Sequence, residues 1–300
     1  MRSPEKLAPG VQRVELRSPT LPPATHTSAW ILGGPEVIVV DPASPWDDEK
    51  QALDEALDGL AAAGRRVRAI FLTHHHGDHF AGAMHLRERL QVPICAHAST
   101  AALLTGFVTV DRTIAEDEIE ALPAGGGAPA MELRALHTPG HAPGHLCWFD
   151  AGTRTLIAGD MIAGLGFIVI DPDDHGDMTQ YLDSLRRLRA LEPALLLPAH
   201  GPAPRDDAAP AKLDEYVTHR LGREAKVEAA LQGAFAARGP ATRGELLPIV
   251  YADVAPALYF VADRSLAAHL QRLVALGRAR LDGDRYAPLC DEILRESGAR

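Results

Sequence analysis

The chain has 300 residues, 46% hydrophobic and 23% charged, with a formal net charge of -10. A chain of this size buries a sizeable core and lies where one domain becomes two, so a large domain plus a small one is expected. The balance of 30 Lys+Arg against 40 Asp+Glu leaves no electrostatic footprint for nonspecific binding to nucleic acid or an anionic membrane, though it does not exclude a local basic groove.

The start, MRSPEKLAPGVQRVELRSPT, lacks the apolar core of a signal peptide, and no apolar run is long enough to span a bilayer. Residues 28–41, SAWILGGPEVIVVD, read as two strands around a turn at Gly33-Gly34-Pro35, because β-branched residues flank turn formers. A helix is expected over residues 49–64: Asp47 or Asp48 caps it, Leu53, Ala56, Leu57 and Leu60 form its apolar stripe, and Gly64 ends it. Residues 67–73, VRAIFLT, are a buried strand that delivers the stretch THHHGDH at its C-terminal end. A helix over 81–90, a strand over 92–97 and a short helix from Ser99 repeat the pattern.

Strands are expected at 131–138, 145–152 and 153–160, with Pro139-Gly140-His141-Ala142-Pro143-Gly144 between the first two. A helix over 178–191 and a strand over 194–202 complete this part. Strands and helices alternate, and polar motifs occur only where strands end, which predicts a layered α/β domain with its site along one sheet edge. After Pro202 come a Pro-interrupted linker and helical periodicity, then a capping box at Thr242 to Glu245, a helix over 264–277 and a hairpin around Asp282-Gly283-Asp284. Helix, helix, hairpin is the outline of a winged helix. Cys95, Cys147 and Cys290 form no CxxC pair, which predicts buried thiols in a reducing, cytoplasmic compartment rather than disulfides or a thiolate zinc site.

His74 and His76 are two residues apart on an extended chain, so their rings fall on one side and His75 on the other. Gly77 allows a turn, after which Asp78 and His79 sit where a helix begins. His141, Asp160 and His200 each follow a strand beside Gly or Pro. Together His74, His76, Asp78, His79, His141, Asp160 and His200 offer enough nitrogen and oxygen atoms for two divalent metals, with one carboxylate as bridge. Imidazole and carboxylate without thiolate suit zinc first, with iron or manganese also accommodated. Two such metals activate water at neutral pH, so hydrolysis is the expected chemistry.

This ordered set, HxHxDH, then His, Asp and His, resembles the metallo-β-lactamase superfamily. TPGH followed by another His, LIAGD, PAHGP and the C-terminal layout look like its lactamase-beta-two-like branch. The resemblance implies an αβ/βα four-layer sandwich over residues 1–205, a helical connector over 206–236 and a small, mostly helical winged-helix domain over 237–300. It implies that His74, His76 and His141 hold one metal, that Asp78, His79 and His200 hold the other, and that Asp160 bridges them. A hydroxide held between the metals would be the nucleophile, oriented by Asp78.

His145 has two readings, substrate contact or leaving-group protonation against a hydrogen bond within its loop. Asp41 likewise either accepts a hydrogen bond from a metal-bound histidine or caps a turn. The remaining histidines, His26, His85, His97, His137, His175, His219 and His269, read as surface or core residues, and His75 as a supporting or packing residue, with substrate contact as its alternative. The loop 164–177, GLGFIVIDPDDHGD, is expected beside the substrate, with its acids forming a solvated turn rather than an additional metal site.

The first substrate expectation is a small or carrier-tethered acyl compound, a thioester or lactone; the alternative is single-stranded RNA cleaved at the same two-metal site. A metal-binding scaffold without catalysis is the third. From Arg238 onward nine Lys/Arg face eight Asp/Glu, which is weak support for RNA. The winged helix is therefore expected to pack over the site entrance or to support a homodimer.

Overall fold

Period-two burial along the strands sets the layers. In the computed structural model, which describes residues 4–289, seven strands form one sheet in sequence order: β1 (Glu5–Ala8), β2 (Val11–Arg17), β3 (His26–Gly33), β4 (Glu36–Val40), β5 (Arg66–Phe71), β6 (Ile94–Ala96) and β7 (Arg112–Thr113). Five form the second: β8 (Ile119–Leu122), β9 (Met131–His137), β10 (Leu146–Asp150), β11 (Thr155–Gly159) and β12 (Leu195–Pro198), in the order β12-β11-β10-β9-β8. In β3 and β4, Trp30, Leu32, Ile38 and Val40 face inward and meet Trp148, Ile157 and Leu197 of the second sheet. Their neighbours Ala29, Ile31, Val37 and Val39 face outward, since successive side chains on a strand point to opposite faces.

Helices cover both outer faces. Leu53, Leu57 and Leu60 of α1 (Asp47–Ala62) and Leu86 of α3 (Ala83–Leu90) pack on the first sheet; α2 (Gly77–Phe80) and α4 (Ala98–Leu103) lie beside them in the chain. Tyr181, Leu182, Leu185 and Leu188 of α5 (Met178–Arg189), with Leu213 and Tyr216 of α6 (Ala208–Arg238), cover the second. The result is the expected four-layer α/β sandwich. The first turn of α1 contains Asp47 and Asp48, but Trp46 is its N-cap and makes no side-chain bond. The two carboxylates therefore act on the helix dipole rather than as caps.

The long helix α6 leads into the third unit. There α7 (Arg243–Val250), α8 (Tyr259–Ala275) and a three-stranded sheet of β13 (Ala241–Thr242), β15 (Arg285–Pro288) and β14 (Ala279–Asp282) form the winged helix. Thr242 and Glu245 form the capping box read from the sequence. Leu231, Leu246, Leu266 and Leu270 are in its separate core. Strands β1, β2, β7 and β8 were not apparent in the sequence, α8 begins earlier than expected, and Cys290 lies outside the described residues.

Strand directions explain where the site lies. β4, β5 and β6 run parallel, as do β11 and β12, so their C-terminal ends gather Asp41, Thr73-His74, Asp160 and His200 at one edge. Gly159 has φ +48, and an added Cβ would stand 2.7 Å from Nε2 of His145. A side chain there would press directly on the residue beneath the site.

Candidate metal centre

Three imidazole nitrogens converge first. Nε2 of His74 lies 2.8 Å from Nδ1 of His76, and Nε2 of His141 lies 3.2 Å and 2.9 Å from these two atoms. The outward nitrogen of each ring has an acceptor. His141 Nδ1 donates to the Val169 carbonyl at 2.8 Å and His76 Nε2 to Asp174 at 2.8 Å. Thr73 Oγ1 gives its proton to Asp41 at 2.7 Å, so His74 Nδ1, 2.9 Å away, donates to that hydroxyl. In these neutral tautomers the three inward nitrogens present lone pairs to one another, which only a cation or an added proton reconciles.

Burial and the surrounding imidazoles oppose the proton. Burial first, then His79, His76 and His141, push His74 well below its ordinary value, and burial with His76 lowers His141 to about 3. Nitrogens around one tetrahedral zinc stand about 3.3 Å apart. The cluster fits such an ion.

The second cluster is built the same way. His79 Nδ1 donates to Asp41 at 2.8 Å and His200 Nδ1 to the His26 carbonyl at 3.1 Å, which turns both Nε2 atoms toward carboxylates. Nε2 of His79 stands 3.5 Å from Asp160 Oδ1 and 3.9 Å from Asp78; Nε2 of His200 stands 3.3 Å and 3.6 Å from the same two residues. These separations are too long for good hydrogen bonds. Nε2 of His79 and Oδ1 of Asp160 are buried without a partner, an arrangement a metal ion satisfies.

Asp160 faces both groups, because its Oδ2 is 3.5 Å from Nε2 of His141. Burial is the largest single influence and works to lower the pKa of His79 and His200, but Asp160 and Asp78, joined at His79 by Asp41, together outweigh it and raise both. Without a cation the site therefore draws protons onto the second pair. Cation binding would release them.

All seven residues singled out in the sequence thus share one edge, and His74, His76 and His141, or Asp78, His79 and His200, are each close enough together to hold one ion. Asp41 occupies a left-handed backbone position, φ 53. It also accepts from the Thr73 amide at 2.8 Å, so one carboxylate supports ligands of both clusters. Of its two readings, the supporting role matches the geometry.

His145 is fully buried. Its Nε2 accepts from the Asp160 amide at 3.1 Å and its Nδ1 meets Thr138 Oγ1 at 2.9 Å, while burial, followed by His141, holds it well below its ordinary pKa. One ring nitrogen is thus engaged within the loop, by Thr138, and the other by the backbone at Asp160.

The acidic loop differs from expectation. Asp174 is not a solvated bystander: besides His76 it meets Nε2 of His75 at 3.3 Å. Asp171, on the same turn, pairs with Arg264 of α8 at 2.9 Å. The cluster of acids after Asp160 was visible in the sequence, but not its partners nearly a hundred residues away.

Above the centre is a cavity of about 290 Å³ reached by His76, Asp78 and His200 and walled by Leu165, Phe167 and Phe260. Phe260, Val261 and Arg264 of α8 line it, so the winged helix packs over the entrance. Among the described residues, no helix is long and apolar enough to cross a membrane.

Comparisons with known proteins place the family and the fold. The Metallo-beta-lactamase superfamily profile matches residues 22–200 and that of the beta-lactamase associated winged helix domain matches 242–287. The chain is 28% identical over 229 residues to a beta-lactamase-like protein 2 homolog of Caenorhabditis elegans, covering 74% of this chain and 71% of that one. It is 27% identical over 288 residues to an atrochrysone carboxyl ACP thioesterase of Aspergillus chevalieri, covering 94% and 83%. A beta-lactamase domain protein from Burkholderia ambifaria shares the fold with a TM-score of 0.79 at 20% identity, over 95% and 93% of the two chains. On the match across residues 22–200, the chain belongs to the metallo-beta-lactamase superfamily of hydrolases.

Proposed function

We propose that this chain is a two-metal acyl hydrolase, acting on a thioester or related acyl compound, small or tethered to a carrier. The observation that carries this reading is the cavity mouth. Leu21, Leu165, Phe167 and Phe260 are all exposed there, a concentration of large apolar side chains that suits an acyl chain. The nearby charges are Asp171 and Asp174, and the one Lys or Arg among the described lining residues, Arg264, is already paired with Asp171. An RNA strand would meet carboxylates and few free cations, against the basic surface such a ligand needs. A relative matched over 94% of the chain bears the name of an ACP thioesterase, which favours the same class.

In this proposal His74, His76 and His141 would hold one divalent ion and Asp78, His79 and His200 a second, with Asp160 beside both groups. Zinc suits the donors best. When bound, the two ions would supply an acidified water and a polarised carbonyl. Asp78, which lines the cavity, would accept a hydrogen bond from the attacking water and aim it. The water oxygen adds to the acyl carbon, the carbon–sulfur bond breaks, and the thiol leaves with a proton.

His145 is a positioning residue: it holds the Asp160 backbone and donates no proton, since Nε2 is engaged as an acceptor. Leu165, Phe167 and Phe260 keep bulk water from the acyl chain. The buried thiols of Cys95 and Cys147 fit a reducing, cytoplasmic setting.

The test is a side-by-side assay of the zinc-loaded protein on acyl thioesters, lactones and labelled single-stranded RNA. Chelator-sensitive thioester hydrolysis is expected. RNA cleavage with inert thioesters and lactones would overturn the reading.

A further inference from the structure

A second cavity, of about 220 Å³, lies between α6, α8 and the segment 251–258 that joins α7 to α8, and shares Phe167 and Val261 with the metal cavity. Its walls are mostly apolar, among them Ile168, Val254 and Leu258, but Arg220 of α6 is also part of them.

Arg220 is only 6% exposed. Its Nη2 donates to the Ile168 carbonyl, its guanidinium stacks 5.4 Å from the Tyr181 ring centre, and its Nε is buried without a partner. Among the described residues no carboxylate pairs with it. Glu224, one turn along the same helix, is taken by Arg272 at 2.6 Å and Arg278 at 3.1 Å. Neighbouring Arg223 differs, since Asp253 pairs with it at 2.8 Å. The nearby phenols of Tyr181 and Tyr216 stay neutral, because burial raises both. A charged group this deep is costly without a counter-ion, and its remaining contact, with the neutral Tyr181 side chain, supplies none.

We propose that this cavity is the subsite for the distal part of the acyl chain, with Arg220 binding a carboxylate at the chain's far end, so that the preferred substrate is a thioester of a dicarboxylic acid. The inference rests on the acyl-hydrolase reading above. Three features carry it: a buried cation with no carboxylate partner among the described residues, apolar walls for the methylenes between, and the two walls, Phe167 and Val261, that this cavity has in common with the metal cavity. Arg220 contacts neither metal cluster, so its effect is on binding and not on the reacting carbonyl.

The experiment compares a hexanoyl thioester with the adipyl half-thioester of equal length on the zinc-loaded full chain. Wild type is expected to show a lower KM for the adipyl compound. Arg220→Met raises that KM by about 10- to 100-fold, the factor carried by a hydrogen bond between charged partners, and shifts the hexanoyl KM less than about threefold. Arg220→Lys, which keeps a charge and donors, recovers part of the preference.

Calorimetric binding of adipate against hexanoate to wild type and Arg220→Met gives a readout independent of turnover, with the same loss confined to adipate. If Arg220→Met changes both thioesters and both acids alike, Arg220 merely holds the Ile168 carbonyl and the proposal fails. If neither thioester is hydrolysed yet adipate binding still requires Arg220, the subsite stands and the acyl-hydrolase reading is what falls.

Discussion

Oδ2 of Asp174 lies 2.8 Å from Nε2 of His76, and this bond decides which nitrogen of the ring faces the first cluster. Carboxylates that hold metal-binding histidines contribute about 10- to 100-fold to metal affinity. Asp174→Ala should therefore weaken retention of one ion by that factor in a chelator competition, with the second ion unaffected. Hydrogen bonds from His75 and His76 hold the Asp174 carboxyl well below the usual range, so it remains an acceptor throughout the working pH range.

Asp41 supports the other side of the centre. It accepts from His79 Nδ1 and from both the amide and hydroxyl of Thr73. Asp41→Asn replaces one acceptor oxygen by a donor among three donors, so His79 loses its orientation. The expected result is loss of the ion bound by His79, read by metal analysis, together with a drop in melting temperature. Retention of both ions would show that Asp41 serves only the Thr73 turn.

The metal-free chain should have a pH optimum of stability. His74, His141 and His145 have pKa values pushed down from 6.5, His141 to about 3. Below 6.5 the unfolded chain therefore takes up protons that these buried rings refuse, and stability falls as pH drops. His79 and His200 are raised; their contribution is complete below 6.5 and is lost as pH rises through the folded values. For the chelated protein, the urea midpoint should peak near pH 6.5 and fall on either side. A steady rise from about pH 5 to about pH 8 would contradict this assignment of protons.

Glu224 ties the winged helix to α6. It is buried, accepts two bonds from Arg272 Nη1 at 2.6 and 2.8 Å, and receives one from Arg278. Removing one partner of a buried pair costs about 3–5 kcal/mol, so Glu224→Ala should loosen the C-terminal unit. Faster proteolysis within residues 240–289 is expected, with a raised KM, since Phe260 and Arg264 wall the cavity. Metal content should stay unchanged, because no ligand lies there.

The seven clustered residues were legible because each follows a strand, and strand ends on one sheet edge converge whatever the length of chain between them. Trp30 through Val40 were legible as strands because the residues on both faces are buried and β-branched residues dominate. β2 was not, since Val11 and Gln12 are both buried, which breaks the alternation a reader looks for. β7 is two exposed residues, too short to leave a pattern.

Asp174 in a Pro-containing acidic loop looked solvated, because its meaning depends on His76, 98 residues away. Arg220 looked like any arginine on a charged helix. Only packing against α5 and α8 buries it and leaves it without a carboxylate partner among the described residues.

Metal analysis of the purified full chain beside its Asp160→Ala variant tests the central claim most directly. Asp160 presents one oxygen to each cluster, so about two ions per chain are expected in the wild type and about one or fewer in the variant, by the bridging role of a shared carboxylate. A single ion in the wild type, or two retained without Asp160, would contradict the account.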